Sequence, residues 1–234
     1  MIKRIRRLWR NWFITYLNIS NAQLTSLPEN LPSNLQSLWC YDNQLTSLPE
    51  NLPKSLEIFG CDNNQLTSLP DNLPQSLQEL GCSNNQLTSL PENLPKNLKE
   101  IYCYNNKLTS LPEKLPLNLQ VLLCINNQLT ILPDLPLSLF NLNLVYNPLE
   151  INYPLIHTFE LDIFYFKYKN PHEVIAYVNA CNSQRRTQTR ARAIARELAK
   201  IYYRKKLHPS RLAPLLDNPE EDPNDFMDKL SSNI

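Results

Sequence analysis

The sequence predicts a repeat solenoid of the α/β class, in which short parallel strands stack into one continuous sheet and the return paths are extended, polyproline-like coils. Three observations carry this. Leu24, Leu45, Leu66, Leu87, Leu108 and Leu129 recur every 21 residues, with a last step of 20 to Leu149. Cys40, Cys61, Cys82, Cys103 and Cys124 keep the same spacing. Two prolines four residues apart also recur in each period, as in Pro49/Pro53 and Pro70/Pro74. A fixed period of this length is the mark of a stacked array, in which each unit buries its apolar face only against its neighbours.

Each unit reads like Leu35–Ser55, LQSLWCYDNQLTSLPENLPKS, with six clear copies and a degenerate first one at 14–34 where Ala22 replaces the repeat Asn. Alternation in Leu38-Trp39-Cys40 and Ile101-Tyr102-Cys103 turns one side chain inward and the next outward, so each unit supplies one short strand. The stacked strands form a parallel sheet on the concave side of a right-handed horseshoe. On the convex side the proline pairs exclude an α-helix, because a proline in a helix interior costs about 3 kcal/mol. Twelve of the nineteen prolines are used this way, closing with Pro133/Pro136. The Asn column, Asn43, Asn64, Asn85, Asn106, Asn127 and Asn147, falls where each strand turns. A short amide there can satisfy backbone groups buried between coils, and no chemistry is assigned to it.

Charge divides the rest of the chain. Totals of 23 basic and 22 acidic residues nearly cancel, yet residues 1–13 hold five basic residues and no acid, and 14–149 hold 11 acids against 5 lysines. Residues 180–211 carry ten basic residues against Glu197, and 212–234 six acids against Lys229. The start, MIKRIRRLWRNWFITYL, lacks a long apolar run and a small-residue cleavage site, so no signal peptide is expected, and no stretch is apolar enough to span a membrane. Domain organisation follows: 1–13 as an N-terminal helical cap, 14–149 as the solenoid, 150–169 as a C-terminal cap segment, and 170–234 as a basic helical subdomain with an acidic tail. Within the last, one helix is expected from Asn170-Pro171 to about Asn182 and a second from about Gln184 to Leu207.

The repeat resembles the shortest leucine-rich repeats, those of secreted effectors of bacterial pathogens and of repeat proteins of giant DNA viruses. LPDLP at 132–136 is close to the bacterial effector form. The resemblance covers residues 14–149 and implies a noncatalytic platform that binds other proteins in a host cell's cytosol, sometimes with a catalytic domain attached. Some such effectors carry a ubiquitin-ligase domain with a Cys-x-Asp nucleophile; Cys40-Tyr41-Asp42 has those letters but lies in the repeated core column.

Neither enzyme chemistry, a cofactor nor a metal is expected from the residues themselves. A row of cysteines on parallel strands cannot converge on a tetrahedral metal, and five of the six at one core spacing suit packed thiols in a reducing compartment, the cytosol. Cys181 is followed by Asn182 and Ser183, and His157, His172 and His208 have no partner spacing for a Cys/His pair.

Binding is expected where the repeats differ from one another. The convex LTSLPENLP stretch is nearly constant, whereas the outward strand positions vary. Gly60 and Gly81, the chain's two glycines, share one outward position in adjacent repeats and are expected to form a shallow open notch. Trp39 and Tyr41 flank it on one side, Tyr102 and Tyr104 on the other; Asp62, Glu79 and Glu100 line it with negative charge, and Leu123 with Ile125 adds an apolar strip. Aromatic anchors beside carboxylates suit a polypeptide with basic and apolar side chains, bound by a monomer. The alternative is a nucleic acid or anionic membrane held by Arg186, Arg190, Arg192, Arg196, Lys200 and Arg204 of the basic helix.

Overall fold

The computed structural model describes residues 14–149, 152, 153, 156, 161, 162, 167, 168 and 170–204, with the backbone alone at 161, 162, 167, 168, 191 and 194–204. The expected cap at 1–13, most of 150–169 and the acidic tail lie outside these residues. The chain divides into two compact units, Met1–Asn179 and Ala180–Ile234.

Seven three-residue strands form one parallel sheet in strict chain order: β1 (Tyr16–Asn18), β2 (Ser37–Trp39), β3 (Ile58–Gly60), β4 (Glu79–Gly81), β5 (Glu100–Tyr102), β6 (Val121–Leu123) and β7 (Asn141–Asn143). Register follows the repeat without slippage, Leu38 opposite Phe59, Phe59 opposite Leu80, Leu80 opposite Ile101. Leucine from each coil fills the interior, and the cysteine column lies wholly inside it. All five column thiols are free, and burial pushes Cys40 up to about 12, with the Asp62 carboxylate acting in the same direction. A short antiparallel pair follows, β8 (Leu161–Asp162) and β9 (Lys167–Tyr168), with β9 against β7.

Return paths carry no helix among the described residues of 14–147, as the proline pairs require. The second proline of each pair supplies a turn acceptor: Leu56 N–H donates to Pro53 O (3.1 Å), and Leu77 and Leu98 repeat this with Pro74 and Pro95. Asn43, Asn64, Asn85, Asn106 and Asn127 of the Asn column sit buried behind the strands, and Asn147 half-buried at its end. Asn85 Nδ2 donates to the carbonyls of Cys61, Cys82 and Ser83, at 3.0, 3.1 and 3.1 Å, while its Oδ1 accepts from Leu66 N–H (3.0 Å). Asn64 in the coil before and Asn106 and Asn127 in the two coils after do the same, so the amides bridge the coils continuously.

Immediately before this ladder runs a column of left-handed residues, Asp42, Asn63, Asn84, Asn105 and Asn126, with φ between 52° and 54°. Asn and Asp tolerate that region because their short side chains hydrogen-bond locally. This explains how a chain with only two glycines turns its tight corners: Asn21 and these five make six of them, Tyr146 (φ 58°) takes the equivalent place in the last coil, and neither glycine has a positive φ.

The helix α1 is one continuous element, Pro171–Arg204, rather than the two that Asn182-Ser183 suggested. Asn, Ser and Gln lower helix stability by only a few tenths of a kcal/mol each, and neither proline nor glycine interrupts the chain between Pro171 and Pro209. Thr187 Oγ1 donates to Ser183 O (3.0 Å), an i−4 bond compatible with an unbroken helix. The first turns of α1 belong to the solenoid unit. Asn179 clasps the last coil through Leu135, accepting from its N–H (2.8 Å) and donating to its carbonyl (3.0 Å). Val174, Ile175 and Val178 are buried, and Tyr177 stands edge-on to Tyr153 with ring centres 6.4 Å apart. No helix among the described residues is long and apolar enough to cross a membrane.

Candidate binding face of the sheet

Strand periodicity sends every second side chain out of the sheet, and parallel register places equivalent positions side by side, about 4.8 Å apart. Trp39, Gly60, Gly81, Tyr102 and Leu123 therefore form one row, with Glu79, Glu100 and Val121 beside it. Trp39 packs edge-on to Tyr41, ring centres 6.3 Å apart. Tyr102 donates its hydroxyl hydrogen to Glu100 Oε2. Tyr104, Leu123 and Ile125 are half-buried, while Val121 is buried.

The open notch expected over the two glycines is filled. Both are buried, and a Cβ added to Gly60 would fall within 2.8 Å of Trp39 Cζ3 and closer still to Cε3, because the indole lies across the Gly60 backbone. At Gly81 the same addition would meet Asp62 Oδ2 at 2.6 Å. The absence of side chains is thus used by neighbours in the preceding coil: Trp39 gains a flat seat, and Asp62 leans over to accept from Ser83 N–H through Oδ1 (2.8 Å). The outcome is a continuous floor of one indole, one carboxylate and one phenol instead of a cleft. An arginine at either glycine would have to displace the neighbour that covers it.

Negative charge on this face is held under strain. Burial raises the Asp62 carboxyl above its ordinary 3.8, offset in part by the Ser83 hydrogen bonds. Glu79 is raised from 4.5 by burial, then by Glu100 and Asp62. Tyr102 is pushed well above its ordinary value by burial, by the bond to Glu100 and by that carboxylate's charge. For Asp62 and Glu79 the folded value exceeds the unfolded one, so the native state holds more protons between the two values. Their ionisation therefore destabilises the fold at neutral pH, and this loss disappears as pH falls below the unfolded value. Asp62→Asn, which keeps an oxygen for Ser83 N–H, is expected to raise the urea midpoint at pH 7 with no gain near pH 3; a lower midpoint at pH 7 would contradict this origin.

The remaining candidates are scattered. Arg186, Arg190 and Arg192 are exposed on α1, whereas the side chains of Arg196, Lys200 and Arg204 lie outside the described ones. Cys181 is a half-buried free thiol on the same helix and His172 is exposed near its start; His157 and His208 lie outside the described residues. Among the described residues no group of three His, Cys, Asp or Glu side chains is placed to hold a metal ion.

The coil thus built, one short inward-alternating strand per 21 residues with an amide ladder behind it, is a leucine-rich-repeat solenoid. The family described as leucine rich repeats (2 copies) matches residues 75–116. Three solved structures are similar: YopM from Yersinia enterocolitica (41% identity over 53% of this chain and 27% of that one, TM-score 0.51), a Shigella effector leucine-rich-repeat domain (36%, 57% and 59%, TM-score 0.53), and a leucine-rich-repeat protein of Leptospira interrogans (33%, 61% and 40%, TM-score 0.56). The protein is a leucine-rich-repeat protein resembling secreted bacterial effectors, and it spans less than two thirds of the length of each of these. No curated protein matches the chain.

Proposed function

We propose that this protein is a noncatalytic scaffold that binds another protein on the outward face of its sheet, acting inside a host cell. One observation carries the reading. Residues that build the coil are nearly constant from repeat to repeat, while the outward face departs from repeat to repeat and gathers Trp39, Tyr41, Tyr102 and Tyr104 around Asp62, Glu79 and Glu100. Large aromatic rings held by their neighbours lose little freedom on binding and dominate interface energies, while half-buried carboxylates select a cationic partner. A basic, partly apolar segment laid along the row would relieve the mutual repulsion of Glu79, Glu100 and Asp62.

Affinity capture from host lysate supplies the partner, and titration calorimetry with the full chain tests the face. Trp39→Ala and Tyr102→Ala are each expected to weaken the captured partner by about 2 kcal/mol, roughly thirtyfold. Charge reversal at Glu79 and Glu100 mainly slows association, more so at low salt. Binding that survives both alanine variants but is lost on reversing Arg186, Arg190 and Arg192 would move the function to α1, where an anionic surface or nucleic acid would be the partner.

A further inference from the structure

A second surface lies on the flank where each coil turns into the sheet, and the repeats themselves reveal it. One column there reads Lys54, Gln75 and Lys96 in successive coils and then becomes Leu117 and Leu137. A neighbouring column reads Glu57, Gln78, Lys99 and Gln120 and then becomes Phe140. These are not core residues: Leu117 is 85% exposed, Leu137 75% and Phe140 54%, while the core leucines of the same coils, Leu119 and Leu139, are wholly buried. Ser138 Oγ donates to Leu117 O (2.8 Å), which ties the turn beside Leu137 to the turn beside Leu117. Three large apolar side chains stand in water where every earlier coil carries a polar residue. Clustered exposure of this kind marks a contact surface.

Charge sets the occupant. Residues 14–149 contain five lysines against eleven acids, yet four of those lysines, Lys54, Lys96, Lys99 and Lys114, border this flank, against Glu57, Glu92 and Glu113. Lys99 lines a cleft of about 390 Å³ together with Gln120 and Ser138. Lys96 and Lys114 line a second, of about 850 Å³, whose wall includes Leu117 and which also holds Glu92 and Glu113. Lys96 directly precedes Leu117 in its column, and Lys99 stands two coils before Phe140. The flank therefore runs from lysine to leucine and phenylalanine, and holds four lysines against three carboxylates where the rest of 14–149 holds one lysine against eight acids.

We propose that this flank binds a polypeptide segment with two neighbouring apolar side chains and an acidic one, a partner opposite in charge to the one that suits the sheet face. From Lys96 to Leu117 is one coil step, about 5 Å, and to Leu137 two, about 10 Å; an extended chain advances about 3.3 Å per residue, so the acidic residue falls about one to two positions from the nearer apolar residue and about three from the farther one.

Selection of a random peptide library on the full chain, with affinities of the recovered peptides read by fluorescence anisotropy, tests this. Recovered peptides are expected to carry two apolar residues with Asp or Glu about three positions from the farther of them. Binding should fall at least tenfold in the variant L117Q/L137S/F140Q, which installs residues those columns carry in other coils at exposed sites and so keeps the fold. K96E/K99E leaves the apolar residues in place and should weaken the same peptides severalfold, whereas Trp39→Ala should not. Recovery of lysine- or arginine-rich peptides, of none at all, or of peptides indifferent to both variants overturns the proposal. So does a wild-type chain that dimerises with rising concentration, or sediments with neutral phosphatidylcholine vesicles, while the triple variant does neither; the occupant would then be a second copy or a lipid surface.

Discussion

Asn85→Ala is expected to destabilise the protein by about 3 kcal/mol or more, read as a lowered urea midpoint, although it removes only one amide. That amide makes four buried hydrogen bonds across two adjacent coils, accepting from Leu66 N–H and donating to the carbonyls of Cys61, Cys82 and Ser83. Alanine cannot replace any of them, and no room for water opens beyond the volume of the lost group. A buried donor stripped of its acceptor carries a penalty of about 1–3 kcal/mol, and several carbonyls lose their donor at once. Asn85→Asp should be no better, since a carboxylate can still accept from Leu66 N–H but faces three carbonyl oxygens with negative charge and no hydrogen to give. Asn84→Ala offers the contrast: its side chain is at the surface, accepting from Asn105 Nδ2, and its loss should be felt mainly through the left-handed backbone that alanine dislikes. A loss below about 1 kcal/mol for Asn85→Ala would show that the ladder is not what satisfies the coil interior.

The period of 21 contains this ladder, and so do the strands, the buried cysteines and the helix-free return paths. All four follow from repetition: a position that recurs every coil in a stacked array has one environment, so its chemistry can be read without coordinates. Features that depend on neighbouring coils were less legible. Asp42, Asn63, Asn84, Asn105 and Asn126 stand beside the ladder as the first of an Asx-Asn pair, and that doublet was the available signal for the left-handed corner. Gly60 and Gly81 read as a gap because a strand glycine leaves space, but what fills the space depends on the residue one coil earlier, Trp39 or Asp62. The helix break suggested by Asn182-Ser183 rested on weak propensities, which a 34-residue element overrides. Leu117, Leu137 and Phe140 blend into the leucine-rich composition, and their signal in the sequence was their place in columns that are polar in every earlier coil; the structure adds that they stand exposed.

Phe59→Ala is expected to be the most damaging core substitution in the first half of the solenoid, at about 3–5 kcal/mol. Phe59 is fully buried and is the one aromatic ring in an interior column otherwise made of Leu17, Leu38, Leu80, Ile101, Leu122 and Leu142. Truncation to alanine removes most of the ring's buried area and leaves a cavity between Leu38 and Leu80. Phe59→Leu, which restores the residue the column carries elsewhere, should lose less than about 1.5 kcal/mol, because the change in volume is modest and neighbouring coils already pack leucine. The damage should also be local. Coils in a solenoid touch only their neighbours, so weakening β3 frees the coils on its N-terminal side while the C-terminal ones keep theirs. Hydrogen exchange reads this directly: the Cys40 N–H, bonded to Gly60 O at 2.8 Å, should exchange much faster in Phe59→Ala, and the Cys124 N–H, bonded to Asn143 O at 2.9 Å, should change far less. Equal acceleration at both sites would mean that the seven strands open as a single block, and that stability in this chain is pooled across the coils rather than passed from each to the next.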